Sequence, residues 1–237
     1  MNRLMRADLK RIAGKRSLYV VVFLIFLYMV FNGFKDTSAE QIEFYKSTLS
    51  NFGLLFISIP IFLSVYTDEI KSGIMISIIG MGMERKKIVG TKLKDAFVLY
   101  CAAYLVLYLD TCLINYLADL PVSPKQNAYF LLFCLFCVIK GVGVMALASL
   151  FLFLTMSSVG GMLVLFFAGA FGGAVLSAVQ GATGFPVYDF SFLGLLDASF
   201  VDFQNGGFGF KLIPALLYLA AVIAVNIITF DRKEMDL

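Results

Sequence analysis

Long apolar runs, interrupted only by short charged clusters, constrain this chain more than any other feature. Six stand out: Ser17–Phe34, Leu49–Tyr66, Ala96–Leu117, Asn127–Met156, Val159–Val179 and Leu212–Phe230. A helix needs roughly 20 mostly apolar residues to cross the hydrocarbon layer, and each run meets or approaches that length. Composition agrees: the chain is 60% hydrophobic and 15% charged, with a mean hydropathy of +0.90. Soluble domains carry about 25% charged residues. The expected fold class is an all-α integral membrane protein with six transmembrane helices, forming a single transmembrane domain over 1–237. Pro60 is expected to bend the second span.

The basic residues assign the sides. Arg3, Arg6, Lys10, Arg11, Lys15 and Arg16 precede the first span, and Lys71, Arg85, Lys86, Lys87, Lys92 and Lys94 lie between the second and third. Arg232 and Lys233 follow the sixth, whereas the opposite connections hold only Lys35, Lys46, Lys125 and Lys211. By the positive-inside rule both termini and the 67–95 loop are expected in the cytoplasm. Tyr19, Tyr66 and Tyr100 fall near the inner interface and Tyr28, Tyr116 and Tyr129 near the outer one. The first span is long and bulky and no small-residue cleavage site follows it, which reads as a retained anchor. Within 1–16, Met1, Met5, Leu9 and Ile12 share one helical face while Arg3, Arg6 and Lys10 share the other. That pattern predicts an interfacial amphipathic helix on anionic lipid; a disordered basic tail is the alternative.

Absences narrow the chemistry. Histidine is missing altogether, and the four cysteines Cys101, Cys112, Cys134 and Cys137 sit inside apolar runs, where they read as small apolar residues. No metal site and no nucleophile–base arrangement is expected. No phosphate-cradling G-x-x-x-x-G-K-[ST] motif occurs, nor a soluble stretch large enough for a nucleotide-binding domain. The chain is therefore not expected to be an enzyme. Residues 180–211 are too rich in Phe and Leu for a solvated loop, yet too broken by Gly, Pro and Asp to span. They predict short re-entrant helices in the outer leaflet, between spans five and six.

The cytoplasmic loop reads "YTDEIKSGIMISIIGMGMERKKIVGTKLKD". Ile70, Ile74 and Ile78 recur at helical spacing, with Met75 and Ile79 adjoining, and predict a short apolar-faced helix. Gly80 and Gly82 then permit a sharp turn. An exposed apolar face of this kind marks a contact site; lying flat on the inner leaflet is the other reading. On Asp68, Glu69, Gly73, Gly82, Arg85, Lys86, Gly90 and Lys92, together with six spans and a basic leading helix, the chain resembles the transmembrane permease subunits of ABC-2-type ABC transporters. Glu84 departs from that pattern, standing where such loops often carry a capping Ser or Thr.

The resemblance implies that the loop is a coupling helix docking on a separate ABC ATPase subunit. ATPase-coupling roles would then fall to Asp68, Glu69, Gly73, Ile74, Ile78, Gly82, Arg85, Lys86 and Lys92. It further implies two ATPase copies, a second permease copy as homodimer or paralogous heterodimer, and no cofactor bound by this chain, ATP and Mg2+ residing on the partner. The setting would be the plasma membrane of a bacterium, among membrane lipids and without nucleic acid. Permeases of this size resemble peptide-toxin and lantibiotic export or immunity permeases such as the phenol-soluble-modulin exporters, making an amphipathic or antimicrobial peptide the expected substrate. Export of lipids or hydrophobic drugs is the alternative, and an ATPase-independent secondary transporter, a channel or a non-transporting scaffold the more distant ones. Within the spans, Asp110 and Lys140 are expected either to pair or to line a polar path. Tyr100, Tyr104, Tyr108, Thr111 and Asn115 form a stripe that lines a substrate path or packs helices through its polar tips. Gly169-x-x-x-Gly173 predicts close helix approach in the fifth span.

Overall fold

The structure, a computed structural model, describes residues 2–32, 37–119 and 122–232. Met1, Phe34, Lys35 and Lys233, invoked above for the first face, the first span and the charge bias, lie outside the described residues. Every regular element among those described is helical. Four helices are long and apolar enough to cross a membrane, and up to six if each of two bent pairs counts as one span. Their outward faces are apolar, with Phe23, Leu24, Leu109, Leu113 and Leu217 all exposed. The protein spans a membrane.

Helix α1 (Asn2–Ala13) meets α2 (Arg16–Asn32) at 59°. The amphipathic reading of α1 fits its placement: Ile12 is buried and Leu9 packs on the core, while Arg6 and Lys10 are exposed. Helix α3 runs continuously over 38–71, beginning on Thr37, whose hydroxyl accepts from the Glu40 amide. The second span thus starts well before Leu49, since the polar 38–47 stretch extends the helix. Nor does it break at Pro60. Instead α3 contains two π-helical segments, Thr48–Gly53 and Leu63–Thr67, which accommodate the irregular hydrogen bonding. It is the most buried of the four long spans.

After a short connection come α4 (Ile74–Gly80) and α5 (Arg85–Leu117). Helix α6 (Pro124–Thr155) opens with a capping box, Ser123 and Gln126 each bonding the other's backbone amide, and Pro124 at the first helical position. It ends at Met156 in a left-handed conformation, and Ser157 then caps α7 (Ser158–Ala170). This reversal lays α7 directly on α6. The two approach closely at Gly161, where an added Cβ would come 2.9 Å from Leu152 Cβ of α6 and 2.7 Å from Phe62 Cζ of α3.

The predicted fifth span is bent. Helix α8 (Gly172–Thr183) leaves α7 at 61°, at a Phe-Gly-Gly step of low helical propensity. Gly169 and Gly173 therefore fall on opposite sides of the bend and share no packing face: the nearest side-chain neighbour of the first is Leu55, of the second Tyr188. Two short helices follow, α9 (Val187–Phe190) and α10 (Phe192–Gln204), at the position predicted for the broken segment. Leu195, Leu196 and Phe200 of α10 pack on Phe136 of α6 and Ala215 of α11 (Leu212–Arg232) as a second, smaller core.

Candidate functional site

The loop between α3 and α5 is shaped by two glycines. Gly73 (φ +69°) starts α4 and Gly82 (φ +85°) leaves it, both in the left-handed region that side chains with a Cβ disfavour. Between them, Met75 and Ile78 (9% exposed) are buried in the main core, with Ile70 and Ile79 partly buried against it. Ile74 (41%) and Met81 (78%) project outward. The expected single apolar face of Ile70, Ile74 and Ile78 is thus divided. The turn at Gly73 resets the helical phase, so a period counted across it does not describe one helix.

The polar residues of this loop separate in the same way. Lys92 is fully buried, and its Nζ donates to Asp8 Oδ2 at 2.6 Å and to Glu69 Oε1 at 2.5 Å. Glu69, also buried, accepts from Arg11 Nη2 at 2.5 Å, and the same guanidinium reaches the Ser64 carbonyl in the second π segment at 3.4 Å. Three helices are joined here: α1 through Asp8 and Arg11, α3 through Glu69, α5 through Lys92. Lys15 pairs with Asp68 at the rim. Glu69 and Lys92 therefore cannot present themselves to a partner as expected; they hold the loop from inside. Asp95, one turn beyond Lys92, is also buried, and among the described residues neither of its carboxylate oxygens has a hydrogen-bond partner.

On the outer side, Arg85 donates to the carbonyls of Phe230 and Asp231 at 3.3 and 3.2 Å, satisfying the open end of α11. Glu84 occupies the N-cap of α5 without a capping hydrogen bond, the departure from the Ser/Thr pattern. Its carboxylate instead bonds Lys87 at 3.0 Å and Lys86 at 3.2 Å, and those two ammonium groups hold it below the usual carboxylate range. Among the described residues, Ile74 and Met81, with the exposed Ser77, Glu84, Lys86 and Lys87, are side chains of this loop available to another molecule.

The intramembrane residues are arranged differently from the expectation. Among the described residues neither Asp110 nor Lys140 makes an ion pair. Asp110 lines a crevice of about 320 Å³ between α2 and α5, with Val22, Phe26 and Val106. Lys140 borders a cavity of about 30 Å³ beside Asp197 of α10. The two line different cavities, Asp110 between α2 and α5 and Lys140 between α6 and α10, and they do not pair. The tyrosine stripe packs helices. Tyr100 donates to Ser58 Oγ at 2.5 Å, Tyr104 to the Leu49 carbonyl at 3.1 Å, and Tyr108 to Asn127 Oδ1 at 3.1 Å. Thr111 bonds its own helix, and the Asn115 carbonyl oxygen is buried without a partner. Tyr104 and Tyr108 also border an apolar crevice of about 390 Å³ with Cys101, Leu131 and Cys134.

Asp8, Arg11 and Asp95 were not singled out by sequence reasoning. Asp8 and Asp95 each stand as a lone acid within a basic stretch, which is the available signal. No family model, no curated protein and no solved structure matches the chain.

Proposed function

We propose that the chain is the membrane-spanning permease subunit of an ATP-driven exporter of the ABC-2 type, working as a dimer with two copies of a separate ATPase in a bacterial plasma membrane. Both termini and the α3–α5 loop would face the cytoplasm, and the cargo would be an amphipathic peptide leaving the cell. One observation carries the reading: α4 is held between two left-handed glycines with Met75 and Ile78 buried inward and Ile74 and Met81 exposed beside Lys86 and Lys87. An apolar knob flanked by basic residues, fixed to the bundle from behind, suits insertion into a groove of a soluble partner. The buried Glu69–Lys92 contact supports it, because movement of α4 would be passed to α5 and α1 through charges rather than through a slack loop.

Co-expression tests the reading. The chain is produced with each ATPase encoded beside it, extracted in detergent and purified through a tag on the permease. Recovery of one ATPase in stoichiometric amount, with hydrolysis stimulated by amphipathic peptides in liposomes, is the expected result. Failure of every such ATPase to co-purify with a folded permease would overturn it.

A further inference from the structure

The charge cluster joining α1, α3 and α5 does not balance. Its carboxylates are Asp8, Glu69 and Asp95, its cations Arg11 and Lys92, so full ionisation leaves one negative charge over. The two cations are directed at Asp8 and Glu69. Asp95 is left with both oxygens buried and, among the described residues, unbonded, within electrostatic reach of Lys92, Asp8, Glu69 and Arg11. The buried Tyr66 hydroxyl, beside Ser149, lies within electrostatic reach of Asp95 and Glu69 and supplies Asp95 with no hydrogen bond. An ionised carboxylate in that position is a buried charge with no donor, which a folded chain avoids by binding a compensating cation.

We propose that Asp95 is the seat of a proton-binding site, and that its bound proton is what allows α1, α3 and α5 to pack together. A proton fits better than a metal ion. Lys92 and Arg11 already occupy the cluster and would repel a third fixed cation, and the described residues contain no group of carboxylates or cysteines arranged to hold a metal. A proton needs a single oxygen, and it restores neutrality. Its loss places an unpaired negative charge beside Glu69 and Asp8 and loosens the docking of α1. The site thereby makes the junction behind α4 sensitive to pH.

The sign of the linkage separates this from an ordinary structural aspartate. A group protonated in the fold and ionised in the unfolded chain, where Asp titrates near 3.9, makes stability fall as pH rises toward the folded value. The wild-type melting temperature in detergent should drop as pH rises above about 4, by about 3–5 °C per pH unit, and level off once Asp95 is ionised in the fold. Asp95→Asn should flatten that dependence and match or exceed the wild type at the alkaline end. The opposite result, stability lost on acidification and lowered by Asp95→Asn at neutral pH, would show an ionised Asp95 serving Lys92 and overturn the proposal. An infrared spectrum of an Asp110→Asn chain with isotopically labelled aspartate needs no substitution at Asp95. A protonated-carboxyl band at neutral pH supports the site, and its absence overturns it.

Discussion

The loop end and the mid-membrane charges use the same residue types to opposite effect. At the loop end Asp8, Arg11, Glu69 and Lys92 converge from three helices into contacts of 2.5–2.6 Å, Arg11 half-buried and the other three buried. Deeper in the bundle Asp110 and Lys140 stand on separate faces and meet no opposite charge in an ion pair. Charges inside a membrane protein are costly unless paired or adjoining a polar space. The comparison teaches that depth along a span does not make two charges partners. What joins them is a third element, and at the loop end that element is α1.

The sharpest way to break the comparison is to remove Lys92. Lys92→Met leaves Asp8 and Glu69 without their shared cation and should cost about 3–5 kcal/mol, the range for removing one partner of a buried pair. Folded yield and melting temperature in detergent report it, and adding Glu69→Met should recover part of the loss. A smaller effect is expected from Tyr104→Phe, which deprives the Leu49 carbonyl of its hydroxyl donor in the first π segment. Interhelical hydrogen bonds in membranes contribute about 0.6–1.7 kcal/mol, so thermal unfolding should fall by a few degrees. Arg85→Ala should cost about 1 kcal/mol through the uncapped end of α11, read as faster hydrogen exchange at its last amides. The smallest effect belongs to Asp110 and Lys140. A double-mutant cycle of Asp110→Asn and Lys140→Met should be additive within about 0.5 kcal/mol, whereas a pair would show coupling.

Which parts of this arrangement the sequence made legible follows from what a one-dimensional pattern encodes. Hydrophobic length located the long apolar helices, and the wheel of α1 separated Leu9 and Ile12 from Arg6 and Lys10 but addressed the apolar face to lipid, whereas Ile12 and Leu9 pack on the core. Both readings depend on one helix at a time. The errors arise where two helices must be placed relative to each other. Asp110 and Lys140 had suitable depths, but the faces on which α5 and α6 meet were not encoded locally. Ile74 and Ile78 looked equivalent until the turn at Gly73 and the bundle behind α4 were in place. Pro60 and Gly172–Gly173 are both helix-breaking signals, and only the second interrupts its helix, because α3 continues past Pro60 through its π segments. Asp8 was hidden because, by itself, one acid in a basic helix looks like a surface residue.

The account rests on a loop with an inner face that holds and an outer face that contacts. Comparing Ile74→Asp with Ile78→Asp in the co-expressed complex tests that division directly, by reading ATPase retained per folded permease alongside the melting temperature. The account predicts that Ile74→Asp keeps the wild-type melting temperature and loses the ATPase, while Ile78→Asp lowers the melting temperature itself. An Ile74→Asp chain that still retains the ATPase in stoichiometric amount, or an Ile78→Asp chain of unchanged stability, would contradict it.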